Sequence, residues 1–212
     1  GGSDIFILKI APGGQILWAQ NFGGISEDRI YGLSSNGNGN LFLSGSFSKT
    51  AVFGSKILNS QGSDDVFLCS LSTSGTVNWA INAGGSGSDI AYRVNVSPDG
   101  NYIAFAGHYQ GDAIFGTTTY PGLSGRDLFI ANVNADGEYQ WVFTAPGFSD
   151  ESGYAVDFDD NGNLWATSYF YFTDLPWSVG DTLLHGYGQT DCALMKIDQS
   201  GKLIFAKAFG GL

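Results

Sequence analysis

The sequence predicts an all-β fold made of repeated four-stranded antiparallel sheets, and three observations carry that prediction. A unit of about sixty residues recurs roughly three and a half times. Glycines fall at fixed places within it, and no segment sustains a helical apolar period. The 212 residues are 43% hydrophobic and 15% aromatic, enough for a packed core, which excludes a disordered chain.

The first element of the repeat is a strand opened by an acid. It reads Asp4-Ile-Phe-Ile-Leu-Lys-Ile, then Asp65-Val-Phe-Leu-Cys-Ser-Leu, Asp127-Leu-Phe-Ile-Ala-Asn-Val and Asp191-Cys-Ala-Leu-Met-Lys-Ile. The acids are 61, 62 and 64 residues apart, and the turn glycines Gly14, Gly75, Gly137 and Gly201 keep the same spacing. Glycine there supplies the positive φ of a type I turn with a bulge. The return strand carries Trp18, Trp79, Trp141 and, in the last copy, Phe205.

The second element is as regular. Asp28, Asp89 and Glu151 each precede a tyrosine (Tyr31, Tyr92, Tyr154) and a turn glycine (Gly39, Gly100, Gly162), followed by an apolar strand. A short Phe53-Gly54, Phe115-Gly116 or Val179-Gly180 element then leads to the next acid-opened strand. Each unit is thus expected to hold two hairpins. Strands such as Asp65–Leu71 are apolar at nearly every position, so both faces must be covered. Four-stranded sheets stacked face to face around an axis are the blades of a β-propeller. The expected blades are 25–86, 87–148 and 149–212, with a half blade at 1–24. The two ends carry the same half-unit, so a piece of a larger ring is expected, with further blades or another protein chain completing it.

The motif Gly2-Ser3-Asp4-Ile5-Phe6-Ile7 … Trp18-Ala19 … Gly23-Gly24, then Tyr31-Gly32-Leu33 … Asn38-Gly39-Asn40-Leu41, resembles the bacterial SBBP-type β-propeller repeat. The resemblance runs the whole length of the chain. It implies a secreted or cell-surface bacterial protein whose propeller is a scaffold or binding module, and it transfers no catalytic residue.

The remaining features narrow function by chemistry. A net charge of −11 argues against a nucleic-acid partner. Between Arg126 and Lys196 there is no Lys or Arg, while eleven acids fall there. No apolar run is long enough to insert in a membrane. Cys69 and Cys192 are placed on opposite strand faces two repeats apart, which forbids a disulfide. Asp157, Asp159 and Asn161-Gly162 open like a calcium loop, but Ser168 stands at the twelfth position, so an acidic hairpin turn is expected and no metal or cofactor. His108 and His185 are read as isolated surface residues. The repeated acids are read as backbone caps rather than general acid–base pairs, because a catalytic pair has no reason to recur in every unit. The repeated Tyr and Trp are read as packing between blades. The copy that departs most is the third, around Tyr169–Trp177. Tyr171, Asp174 and Trp177 are the candidate ligand-binding residues there, aromatics beside a carboxylate that suit a glycan. Such a site requires those side chains to be exposed around a concavity. The sequence therefore points to a non-catalytic scaffold or interaction module, with a glycan-binding or glycan-processing propeller as the alternative.

Overall fold

The computed structural model describes residues 2–171 and 175–211. Among these the chain forms twenty strands and no helix. The opening half-unit is β1 (Ile5–Ile10) and β2 (Ile16–Gly24). The first full repeat is β3 (Asp28–Ser35), β4 (Leu41–Phe47), β5 (Thr50–Phe53), β6 (Lys56–Asn59), β7 (Asp65–Leu71) and β8 (Val77–Gly85). The second is β9 (Ile90–Val96), β10 (Tyr102–Tyr109), β11 (Ala113–Phe115), β12 (Thr118–Tyr120), β13 (Asp127–Asn134) and β14 (Tyr139–Ala145). The third is β15 (Glu151–Phe158), β16 (Leu164–Tyr171), β17 (Trp177–Val179), β18 (Thr182–Leu184), β19 (Thr190–Ile197) and β20 (Leu203–Phe209).

The two expected hairpins of each unit meet edge to edge, giving the antiparallel orders β3-β4-β7-β8, β9-β10-β13-β14 and β15-β16-β19-β20. The short Phe-Gly element is more than a connection. Gly54 and Gly116, at φ 60° and 63°, turn it into a third hairpin. That hairpin reaches back to the preceding sheet: β5 pairs with β2, and β11 pairs with β8. A strand edge offers unpaired amides and carbonyls, and these hairpins satisfy them. The β3-β4-β7-β8 sheet is thereby extended to six strands by β11 and β12.

Three apolar clusters fill the spaces between successive sheets, and the alternation of each acid-opened strand explains them. Residues two, four and six after the acid face the preceding sheet, so Phe67, Cys69 and Leu71 pack with Ile5 and Ile7. Residues one and three after it face the following sheet, so Val66 and Leu68 pack with Phe129, Ala131 and Val133. Leu128 and Ile130 pack in turn with Ala193, Met195 and Ile197. Both faces of β7 are buried, which is why its apolar run does not alternate. Each Leu or Phe so covered contributes roughly 1.5–3 kcal/mol. Cys69 lies in this core and Cys192 is exposed; both are free thiols, on opposite faces as expected.

The tryptophans stitch the sheets together. Trp18 Nε1 donates to Thr73 O at 3.0 Å, Trp79 Nε1 to Ala135 O at 2.8 Å, and Trp141 Nε1 to Gln199 O at 3.0 Å. Each accepting carbonyl lies in the turn of the next sheet, and the indole sits against that turn's glycine: Gly75, Gly137 and Gly201.

Candidate functional site

The acids that open the strands obey one rule: each accepts the backbone amide four residues before it. Gly24 N donates to Asp28 at 2.7 Å, Gln61 N to Asp65 at 3.1 Å, Gly85 N to Asp89 at 2.7 Å, and Leu123 N to Asp127 at 2.8 Å. Tyr187 N donates to Asp191 in the same way. These carboxylates are spent on tying the chain at each strand entrance. Burial raises the pKa of Asp28, Asp65 and Asp127, and pushes that of Asp89 up to about 6 against the hydrogen bonds from Gly85 and Gln110.

Glu151 breaks the rule. The amide four residues before it, Gly147 N, donates instead to Asp127 Oδ1 at 2.9 Å. Glu151 is only 2% exposed, yet its Oε2 has no hydrogen-bond partner. Burial pushes its pKa up to about 8; the nearby charges of Asp127 and Asp150 add to this, and a hydrogen bond from the Ser149 backbone opposes it.

Two further departures meet at the same place. Where the opening half-unit and the first repeat have Gly23 and Gly84, at φ 138° and 151°, the second repeat has Pro146. Where the first and second repeats have the buried Ala51 and Ala113, the third has Trp177. β2 and β8 run on through their Gly-Gly pairs to receive the next hairpin. Proline has no N–H and a fixed φ, so β14 ends at Ala145. The β17–β18 hairpin is then a separate two-stranded sheet, pinned by Trp177 Nε1 donating to Ala145 O at 3.0 Å and by its ring lying 5.2 Å from that of Phe170. The gap this leaves is a recess of about 130 Å³, lined by Pro146, Phe148, Glu151, Tyr171, Pro176 and Trp177 among others.

The candidates from sequence therefore divide. Tyr171 stands on the rim of the recess, 44% exposed. Trp177 lines the same recess but is only 5% exposed, its indole nitrogen already bonded, so it serves as a wall and a tether rather than as an open stacking platform. Asp174 lies outside the described residues. Glu151, read with the other opening acids as a backbone cap, is bonded by the Ser149 backbone and not by the amide four residues before it, and Pro146 carries no reading from sequence. Their signal was present in the register, as the one Glu among the opening acids and the one Pro among the glycine pairs.

Elsewhere the structure bears out one reading and corrects another. Tyr31, Tyr92 and Tyr154 pack ring to ring from one sheet to the next, as expected, but outside the apolar clusters. They stand on the first strand of each repeat and form a surface strip, with centroids 5.4 Å apart for Tyr31–Tyr92 and 4.9 Å for Tyr92–Tyr154, continuing through Tyr169 to Tyr171. Tyr31 is 39% and Tyr154 49% exposed, because alternate residues of these strands face away from the apolar clusters. His108 is buried rather than on the surface, since its strand β10 is central in its sheet. Its Nδ1 lies 3.1 Å from Ser152 Oγ, and burial lowers its pKa to about 4. His185 is exposed.

The acidic turn of the third repeat uses its own carboxylates. Asp159 Oδ1 accepts the amides of Asn161 and Asn163, and Oδ2 pairs with Lys196 Nζ at 2.9 Å. Beside it, between neighbouring turns, lies a larger recess of about 300 Å³ lined by Asp99, Tyr102, Asn132, Trp141, Phe158 and Asp160 among others. Asn132 Oδ1 is buried there without a partner.

No family model matches the chain. It is similar to Regulatory protein FlaEY of Caulobacter vibrioides, with 28% identity over 209 residues, covering 94% of this chain and 21% of that protein. The chain thus spans about a fifth of the length of that relative.

Proposed function

We propose that the sheets are blades of a β-propeller and that the chain is a non-catalytic interaction module, completed by further blades or by another protein chain. The observation that carries this reading is the pair of open sheet faces. Phe6, Leu8 and Ile10 are exposed on β1, although their counterparts Phe67, Cys69 and Leu71 are buried against a preceding sheet. At the other end Cys192, Phe205 and Phe209 are exposed, where Val66 and its neighbours meet a following sheet. Nothing lies within 4 Å of a Cβ built on Gly14, whereas Gly75, Gly137 and Gly201 are each covered by a tryptophan. The two open faces are the halves of one repeated contact, and a heterologous contact of that kind closes into a ring when its rotation allows. The binding of the repeated acids to backbone amides supports a structural rather than catalytic use of them. The bacterial relative, of which the matched part is about a fifth, fits a module within a larger protein.

Sedimentation at increasing concentration tests the reading. The chain is expected to associate head to tail, and Leu8→Asp is expected to abolish this while leaving the strand content unchanged. A chain that stays monomeric throughout, with both faces intact, would overturn it.

A glycan-binding site on one rim is the second reading. The larger recess favours it, because Tyr102, Trp141 and Phe158 offer ring faces beside Asp160 and the unpaired Asn132 carboxamide. Loss of glycan retention on Tyr102→Ala and Asn132→Ala would support it; retention unchanged by both would remove it.

A further inference from the structure

The recess at Glu151 is independent of the sheet faces, and its chemistry is specific. It holds one buried carboxylate oxygen without a partner; Asp28 Oδ1 is unpartnered as well, but Asp28 and Asp89 each bind the amide four residues back, and Glu151 does not. Asp28 and Asp89 each take the amide four residues back through Oδ2. The extra methylene of Glu151 carries its carboxyl past that amide, which Asp127 claims instead. Pro146 and Trp177 then hold the neighbouring hairpin off the sheet edge, so Glu151 lines a cavity rather than a paired strand. All three departures from the repeat converge on this one cavity.

The walls limit what can enter. Phe148, Pro146, Pro176 and Trp177 are apolar, and Tyr171 closes the rim. A divalent metal needs six or more oxygen ligands, but both oxygens of Asp127 already accept amides, from Leu123 and Gly147. A guanidinium seeks both oxygens of a carboxylate, and Glu151 has one to offer, the Ser149 backbone bonding to the group as well. A sugar presents several hydroxyls, whereas among the described residues this lining is mostly apolar. A primary ammonium on a short alkyl chain matches: one charged donor for one oxygen, methylenes for the apolar wall, and aromatic rings beside the cation. The acids Asp127 and Asp150 near Glu151, and the absence of Lys or Arg from 127 to 195, favour a cation there.

We propose that the recess of the third repeat binds a primary alkylammonium group, with Glu151 Oε2 accepting its N–H and the chain lying between Pro146, Phe148 and Trp177. The group is either a small free amine or the side chain of a lysine on a partner protein.

Titration of the whole chain with n-butylammonium tests this, read by the Trp177 indole N–H resonance and by calorimetry. Saturable binding is expected. Glu151→Gln and Glu151→Asp are each expected to weaken it about ten-fold or more, as loss of a charge-assisted hydrogen bond does. The Asp variant serves as the folding control, because Asp28 and Asp89 show the shorter acid to be compatible with this strand entrance. Affinity is expected to rise from pH 6 to pH 9, since Glu151 must release its proton while the amine keeps its own up to about pH 10; the other titrating groups nearby are Asp127, Asp150 and Tyr171. Nα-acetyl-lysine methylamide distinguishes the sources. Binding equal to butylammonium supports a protein lysine, and binding confined to the free amine supports a small molecule. Equal binding of n-butanol, or full affinity in Glu151→Asp, would overturn the proposal.

Discussion

Replacing Glu151 by Gln tests whether this carboxyl is held neutral inside the fold. A glutamate ordinarily titrates near 4.5, whereas burial pushes Glu151 up to about 8. Between those two values the unfolded chain has given up the proton and the native chain keeps it. Stability must therefore fall as pH rises from 4.5 to 8. The difference between the two values is worth roughly 5 kcal/mol, an upper bound because local opening would let water reach the carboxylate. Gln has nearly the same shape and does not titrate. The stability of the variant minus that of the wild type should thus be near zero at pH 4.5 and grow to several kcal/mol by pH 8. Other buried groups tilt the individual profiles, two of them with large shifts. Asp89, raised to about 6, loses stability from 3.8 upward, and His108, lowered to about 4, loses it as pH falls below 6.5. All are present in the two proteins and cancel in the difference. Urea midpoints at intervals from pH 4.5 to 9 give that difference directly. A constant offset across this range would refute a buried, neutral Glu151.

Other perturbations probe the repeat itself. Trp79→Phe keeps the ring but removes the 2.8 Å bond to Ala135 O, and should cost about 1 kcal/mol in denaturant unfolding, without the loss of strand signal that an unfolded sheet would give. Gly84→Ala sets a Cβ at φ 151°, 2.6 Å from Asp89 Oδ2, and should destabilise by more than about 1 kcal/mol; an unchanged melting temperature would contradict the close approach. Thiol labelling of the native chain should modify Cys192 alone, because Cys69 is buried and its thiol is pushed up to about 12, and Cys69 should react only on unfolding. Trp177→Ala should cost about 3–5 kcal/mol if the ring is the wall and tether described here, whereas an open stacking residue would be nearly free to truncate.

What was legible in the sequence was whatever recurs. Asp4, Asp65, Asp127 and Asp191 set the register, and with it the turns, the sheet order and the two-sided burial of β7. The reading of the acids as backbone caps followed from the same recurrence. The third hairpin was less visible because β11 is only three residues long, too short to display alternation, and its partner β8 belongs to the preceding repeat. The exposure of the tyrosine strip was not visible for a related reason. Recurrence says that a residue matters in every unit, but not which face it occupies, and Tyr31 and Tyr154 stand on the solvent side. Of the candidate site, the sequence reached Tyr171 and Trp177 through their unusual surroundings. It did not reach Glu151, because an Asp-to-Glu change looks conservative until the length of the side chain is set against a fixed amide.

That change shows how a repeat protein acquires a local site without altering its frame. Glu for Asp alone would leave a longer acid crowding Gly147. Pro for Gly alone would strip the sheet edge of the amide that receives the next hairpin. Trp for Ala alone would force a large ring into a position that packs at 0% exposure in the other units. Together they are consistent: the proline ends β14, the tryptophan bonds the carbonyl of Ala145 at its end, and the space between them accepts the glutamate. Each is unfavourable without the others, so their effects on stability should be non-additive in the way contacting residues are. The site is best understood as one coupled replacement of a strand pairing by a cavity, in the one repeat whose sheet edge no longer needs the pairing.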